Sequence, residues 1–180
     1  MGERPVIIQR TAAPVADFDA DLQFSMANRD EPFWEAVFRK AFPNMVSSRL
    51  CTDMVQQRQG IDRIITLSSG DLVRVDQKLR RKTYPDIALE VVSVDRPIVK
   101  PGWIVKDLAI DYLAYAFLPT RRCYMYPWLM LRRAWRECGE QWEAKYGRVP
   151  AQNPTYTTWS VPVPIQVLRL AVSRAWIIQL

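Results

Sequence analysis

The sequence predicts a mixed α/β domain with helices packed around one central sheet. Three observations carry that expectation. Runs of β-formers bounded by turn residues follow one another closely as "IDRIITL", "LVRVDQKL" and "DIALEVVSV". Stretches with apolar residues at helical spacing lie on both sides of them. The chain has 180 residues, 49% of them hydrophobic and 24% charged, enough for one buried core without disulfide or metal staples.

In chain order, residues 1–16 contain Pro5 and Pro14 and show no helical period. They read as an extended arm; residues 1–27 are assigned to it and 28–180 to a single domain. A helix is expected from Asn28 or Asp30, with Asp30 as cap, Pro32 in the first turn and Pro43 beyond the end. Phe33, Trp34, Val37, Phe38 and Ala41 form its apolar stripe. Residues 45–51 read as a strand and "TDMVQQRQG" as a polar connection. The runs 61–67 and 72–79, joined by "SSGD", predict a β-hairpin. Residues 86–94 form an apolar strand suited to burial on both faces. "IVKDLAIDYLAYAFLP", 104–119, reads as a helix stopped by Pro119, with Ile104, Leu108, Tyr112 and Tyr115 toward the core. A strand at "RRCYMYP", an amphipathic helix over 128–146 ended by Gly147, and a strand at "TYTTWSVPVP" follow. Pro162 and Pro164 confine that strand to an edge or end it. Residues 165–177 read as a last helix or mixed segment.

Composition excludes whole classes of chemistry. There is no histidine, which removes Ser-His-Asp and Cys-His catalysis and HExxH zinc sites. Catalysis would have to use carboxylates, lysine, tyrosine, a thiol or a hard cation. Cys51, Cys123 and Cys138 are widely spaced and odd in number, as for buried free thiols rather than a disulfide framework or zinc site. The apolar runs are too short to cross a bilayer, and a secretory core is not evident, so no membrane partner and a cytoplasmic location are expected. The formal charge of +6 and pI near 9.4 are compatible with a nucleic-acid partner. Acidic residues gather in 17–35, whereas Arg74, Lys78, Arg80, Arg81 and Lys82 cluster later.

The hairpin carries the chemistry. Side chains alternate along a strand, so Arg74, Asp76 and Lys78 share one face and Val73, Val75, Gln77 and Leu79 the other. With the turn near Ser69 and Gly70, Asp62 on the neighbouring strand reaches the level of Asp76 and Lys78. Two close carboxylates repel unless a proton or cation lies between them. Mg²⁺ fits there, since it takes carboxylates together with water and phosphate oxygens. The peptide carbonyl of Gln77 adds an oxygen, and Lys78 points toward a bound water or the developing charge on phosphate.

Asp62, a hairpin-sized gap and then Asp76-Gln77-Lys78 resembles the motif of the PD-(D/E)xK nuclease superfamily, with Gly60-Ile61 in place of the motif's proline. The resemblance covers residues 28–120. It implies a restriction-endonuclease-like αβββαβ core, a mixed central sheet flanked by helices. It also implies Mg²⁺, replaceable by Mn²⁺, held by Asp62, Asp76 and the Gln77 carbonyl, with Lys78 assisting the attacking water. By the same resemblance Glu35 occupies the place of a glutamate in the first core helix, and Lys106, Asp111 and Tyr115 that of substrate-facing residues in the helix after the strands. Arg80, Arg81 and Lys82 are candidate phosphate contacts beside the site. Trp103, Trp128, Trp135 and Trp142 are candidates for base stacking or, more simply, core. Glu90 within an apolar strand needs a partner, in an ion pair or at the site border.

The expected function is Mg²⁺-dependent hydrolysis of DNA phosphodiester bonds. The alternatives are an inactive nucleic-acid-binding module or a protein-interaction module on the same fold; a homodimer or a protein partner stays open.

Overall fold

The computed structural model describes residues 16–17, 32–172 and 176–180. The expected cap Asp30 and most of the N-terminal arm lie outside the described residues. The first described strand, β1 (Ala16–Asp17), runs parallel to a later strand.

Helix α1 (Pro32–Ala41) starts on a proline and buries Phe33, Trp34, Val37 and Phe38 along one stripe. Glu35 in its first turn and Arg39 and Lys40 in its last complement the helix dipole. Strand β2 (Met45–Leu50) follows. The expected polar connection contains a short helix, α2 (Met54–Arg58), because the Asp53 carboxylate accepts the N–H groups of Val55 at 2.7 Å and Gln56 at 3.3 Å. Gly60, at φ +86°, makes the left-handed turn out of α2 while the Leu108 side chain packs against it. The hairpin forms as expected from β3 (Arg63–Leu67) and β4 (Leu72–Arg80), turning through Gly70.

The next segments depart from expectation. Strand β5 (Asp86–Val94) leaves the hairpin's sheet. After β6 (Lys100–Pro101), the expected helix over 104–119 is instead strand β7 (Tyr112–Phe117). Ala114 and Ala116 of β7 pack in the α1 layer, and Leu113, Tyr115 and Phe117 in the opposite layer. A short apolar run covered on both faces lacks a polar period, and aromatic β-formers favour extension there. Pro119 lies in a single 3₁₀ turn (Leu118–Thr120) that leads to β8 (Arg122–Pro127), antiparallel to β7. Helix α3 (Trp128–Tyr146), β9 (Val149–Gln152), β10 (Thr157–Pro164), α4 (Ile165–Ala171) and β11 (Trp176–Gln179) complete the chain. The last segment is thus mixed, helix then strand.

Two sheets replace the one expected. The six-stranded sheet has the order β11-β8-β7-β4-β3-β2, and the five-stranded sheet β1-β9-β10-β5-β6. The connection from β4 to its parallel neighbour β7 carries β5 and β6, where one crossover helix was expected. Helix α1 covers one face of the six-stranded sheet through Ile65, Val75, Leu79 and Met125. On the other face Ile64, Leu113 and Tyr126 share a core with Ile87, Leu89, Val161 and Val163 of the second sheet and with Leu131 and Trp142 of α3. Gly102 passes close to β5: a Cβ there would stand 2.2 Å from the Glu90 carbonyl oxygen. Within β10, only Thr157–Ser160 pair with β9, so Pro162 and Pro164 lie where β10 has β5 alone as neighbour. The three cysteines are free thiols; Cys51 and Cys123 are buried as expected, whereas Cys138 is half-buried. Among the described residues no helix is long and apolar enough to cross a membrane.

Candidate functional site

The site grows from unequal strand lengths. Pairing of β3 with β4 ends at Arg63 opposite Val75, while β4 runs on to Arg80. Asp62 precedes β3, and its N–H still donates to the Val75 carbonyl at 3.0 Å. Beyond it β4 has no β3 backbone to pair with, and the Asp62 carboxylate takes over. Its Oδ2 accepts the Gln77 N–H at 3.0 Å. A residue's N–H and C=O point to the same edge of a strand, so the Gln77 carbonyl is turned toward this edge too.

Asp76 and Lys78 project from the face opposite α1, beside Leu113 and Tyr115 of β7. Asp76 is 2% exposed. Its Oδ1 lies 2.6 Å from Lys78 Nζ, and the Lys78 side chain keeps 30% exposure.

Burial pushes the Asp76 carboxyl up, Lys78 pulls it down and the neighbouring Asp62 raises it again, leaving it near about 7. For Lys78, burial works against the charge, but Asp76, Asp62 and Glu90 outweigh it and the ammonium is held above its ordinary value. Glu90 of β5 thus lies within electrostatic reach of the pair.

The Asp76 shift has a defined consequence for stability. The folded carboxyl keeps its proton up to about pH 7, whereas the unfolded one releases it near 3.8. Between these values the native state binds the extra proton, so the contribution of this carboxyl to stability is greatest below pH 4 and is lost as pH rises toward 7. The melting temperature is expected to fall from pH 5 to pH 8, and Asp76→Asn should flatten that part of the profile. An equally steep profile in the variant would assign the titration to another group.

Other expected site residues are placed differently. Glu35 belongs to the α1 face, the opposite side of the sheet: its Oε2 accepts the Ser48 hydroxyl at 2.7 Å and its Oε1 lies 2.8 Å from Arg39. A carboxylate in the first turn of α1 cannot pass through the sheet that α1 covers. Tyr115 is buried, and its hydroxyl accepts Arg80 Nε at 2.7 Å, so it anchors Arg80 rather than facing a substrate. Asp111 accepts the Arg74 N–H at 2.7 Å at the β4–β7 junction. Lys106 is half-buried in the loop before β7, where the expected helix would have presented it. Arg81 and Lys82 are exposed and Arg80 is half-buried, directly after the site strand. Trp103, Trp128 and Trp142 are buried and belong to the core.

Sequence reasoning missed Arg63 and Ser48. Arg63 is 3% exposed, with Nη1 3.1 Å from Ser48 Oγ and Nε 3.4 Å from Gln77 Oε1. The signal was an arginine in phase with Ile65 and Leu67 on one face of "RIITL".

Asp62, Asp76 and the Gln77 carbonyl form an all-oxygen donor set around one strand edge, of the hard kind Mg²⁺ or Mn²⁺ prefers. The mutual raising of close carboxyls is the conflict such a cation relieves. Among the described residues no group of three or more His, Cys, Asp or Glu side chains is arranged to hold a metal, so the protein ligands would be few and water or phosphate would supply the rest. No protein-family model, curated protein or solved structure matches the chain.

Proposed function

We propose that the protein is a divalent-cation-dependent nuclease hydrolysing DNA phosphodiester bonds, with Asp62, Asp76 and Lys78 as its working residues. The observation that carries this reading is the convergence of two carboxylates and one ammonium on a single face at the end of the β3–β4 ladder. The order α1-β2-α2-β3-β4, in which α2 is a single short turn of helix, and the parallel pairing of β7 with β4 support a restriction-endonuclease-like core. The crossover built of strands and the position of Glu35 depart from that pattern.

When bound, Mg²⁺ would supply Lewis acidity toward a phosphate oxygen and its water. Asp62 and Asp76 would hold it, with the Gln77 carbonyl as third protein oxygen. Lys78 stays protonated through neutral pH because its acid neighbours raise its pKa. It therefore serves as a donor to the attacking water or the phosphate, stabilising developing negative charge, rather than as a base. Arg81 and Lys82, exposed directly after the site strand, would meet the flanking phosphates.

The test is cleavage of plasmid and linear DNA with Mg²⁺. Asp76→Ala and Lys78→Ala are each expected to slow it by at least about 100-fold. Cleavage by all three proteins at one rate would discard the assignment. Salt-sensitive DNA binding without turnover in the wild type would favour an inactive binding module.

A further inference from the structure

Behind the candidate site, on the α1 face, the only buried polar side chain of β4 is that of Gln77, set between Val75 and Leu79. Its partner is Arg63, a buried cation whose guanidinium also lies 5.9 Å from the Phe38 ring centroid. From Arg63 the contacts run on to the Ser48 hydroxyl, then to Glu35, then to Arg39 near the surface. On its other side Gln77 is held through its backbone, by the Asp62 carboxylate. Gln77 is thus gripped at two points, and it is the residue between Asp76 and Lys78. Its two peptide planes set the relative directions of Asp76, of Lys78 and of its own carbonyl.

Building on the proposed cation site, we propose that Arg63, braced by Ser48 and Glu35, is a positioning residue that locks Gln77 and so aligns the oxygen donors of that site. Glu35 acts at the site through this relay from the far side of the sheet, with no contact to cation or substrate. The apolar surroundings make the lock stiff: a buried guanidinium is costly unless its donors are satisfied, so Arg63 enforces the Gln77 rotamer that satisfies it. Residues that orient metal ligands from behind typically change affinity by about 10- to 100-fold when altered.

The experiment titrates Mn²⁺ by electron paramagnetic resonance into the full chain, with thermal melting recorded for every variant. Gln77→Met fills the space but removes the acceptor, and should weaken Mn²⁺ binding by about 10-fold. Gln77→Glu keeps an acceptor for Arg63 and should bind within about threefold of wild type. A role in packing alone predicts the reverse order, since methionine suits an apolar layer better than glutamate. Ser48→Ala removes one hydroxyl from a half-buried position and breaks the Arg63–Glu35 link; it decides the matter should both Gln77 variants fail to fold, with weakened binding expected. A wild-type protein that binds no Mn²⁺ overturns the cation site and this relay with it. Wild-type binding matched by Gln77→Met, or by Ser48→Ala where that variant decides, overturns the relay alone.

Discussion

Lys78→Met is expected to cost the fold about 1–2 kcal/mol more at pH 8 than at pH 5. Lys78 is the ammonium 2.6 Å from a carboxylate that is 2% exposed. Removing one member of a buried pair strands the other, which is where the large penalties arise. Without Lys78 to pull it down, the Asp76 carboxyl takes up a proton at pH 8, which limits the pH-dependent cost to about 1.4 kcal/mol for each pH unit above its native value. At pH 5 the Asp76 carboxyl already carries a proton, because its native value lies near about 7, so little charge is stranded. Urea unfolding at the two pH values measures the difference. Adding Asp76→Asn to Lys78→Met should recover most of the loss at pH 8, since the stranded charge is then gone. A loss independent of pH would mean that Lys78 contributes through its aliphatic stem alone.

Phe38→Ala should destabilise the protein by about 3–5 kcal/mol, a large part of the 5–15 kcal/mol typical of a domain. Phe38 has no exposed surface, stacks on Trp34 at 5.7 Å and lies beneath the Arg63 guanidinium. Truncation empties the centre of the layer between α1 and the six-stranded sheet and leaves the cavity beside a buried cation. The measurement is equilibrium unfolding; a loss below about 1 kcal/mol would mean that α1 collapses onto the sheet without strain. The effect should also spread to the site, because Phe38 forms one wall of the Arg63 contact.

Legibility in the sequence followed the range of the forces involved. The hairpin was readable because its turn and its period-2 alternation are local, and alternation alone put Asp76 and Lys78 on one face. Helix α1 was readable from its stripe and from Pro32 and Pro43. Residues 104–119 misled because "YLAYAF" is covered on both faces and has no polar phase to mark its period. Glu35 misled because its distance from the hairpin along the chain says nothing about which side of a sheet a helix covers.

The sequence by itself determined where the chain turns and alternates, which chemistries histidine's absence removes, and that Asp62, Asp76 and Lys78 share a strand-end face. Only the tertiary structure decided that β5 joins a second sheet, that β7 takes the place beside β4, and that Glu35 and Arg63 stand behind Gln77 while Asp62 stands at its edge. The physical reason is that periodicity and turn chemistry act within a few residues. The choice of partner edge and covering layer depends on apolar surface that distant segments must jointly remove from water.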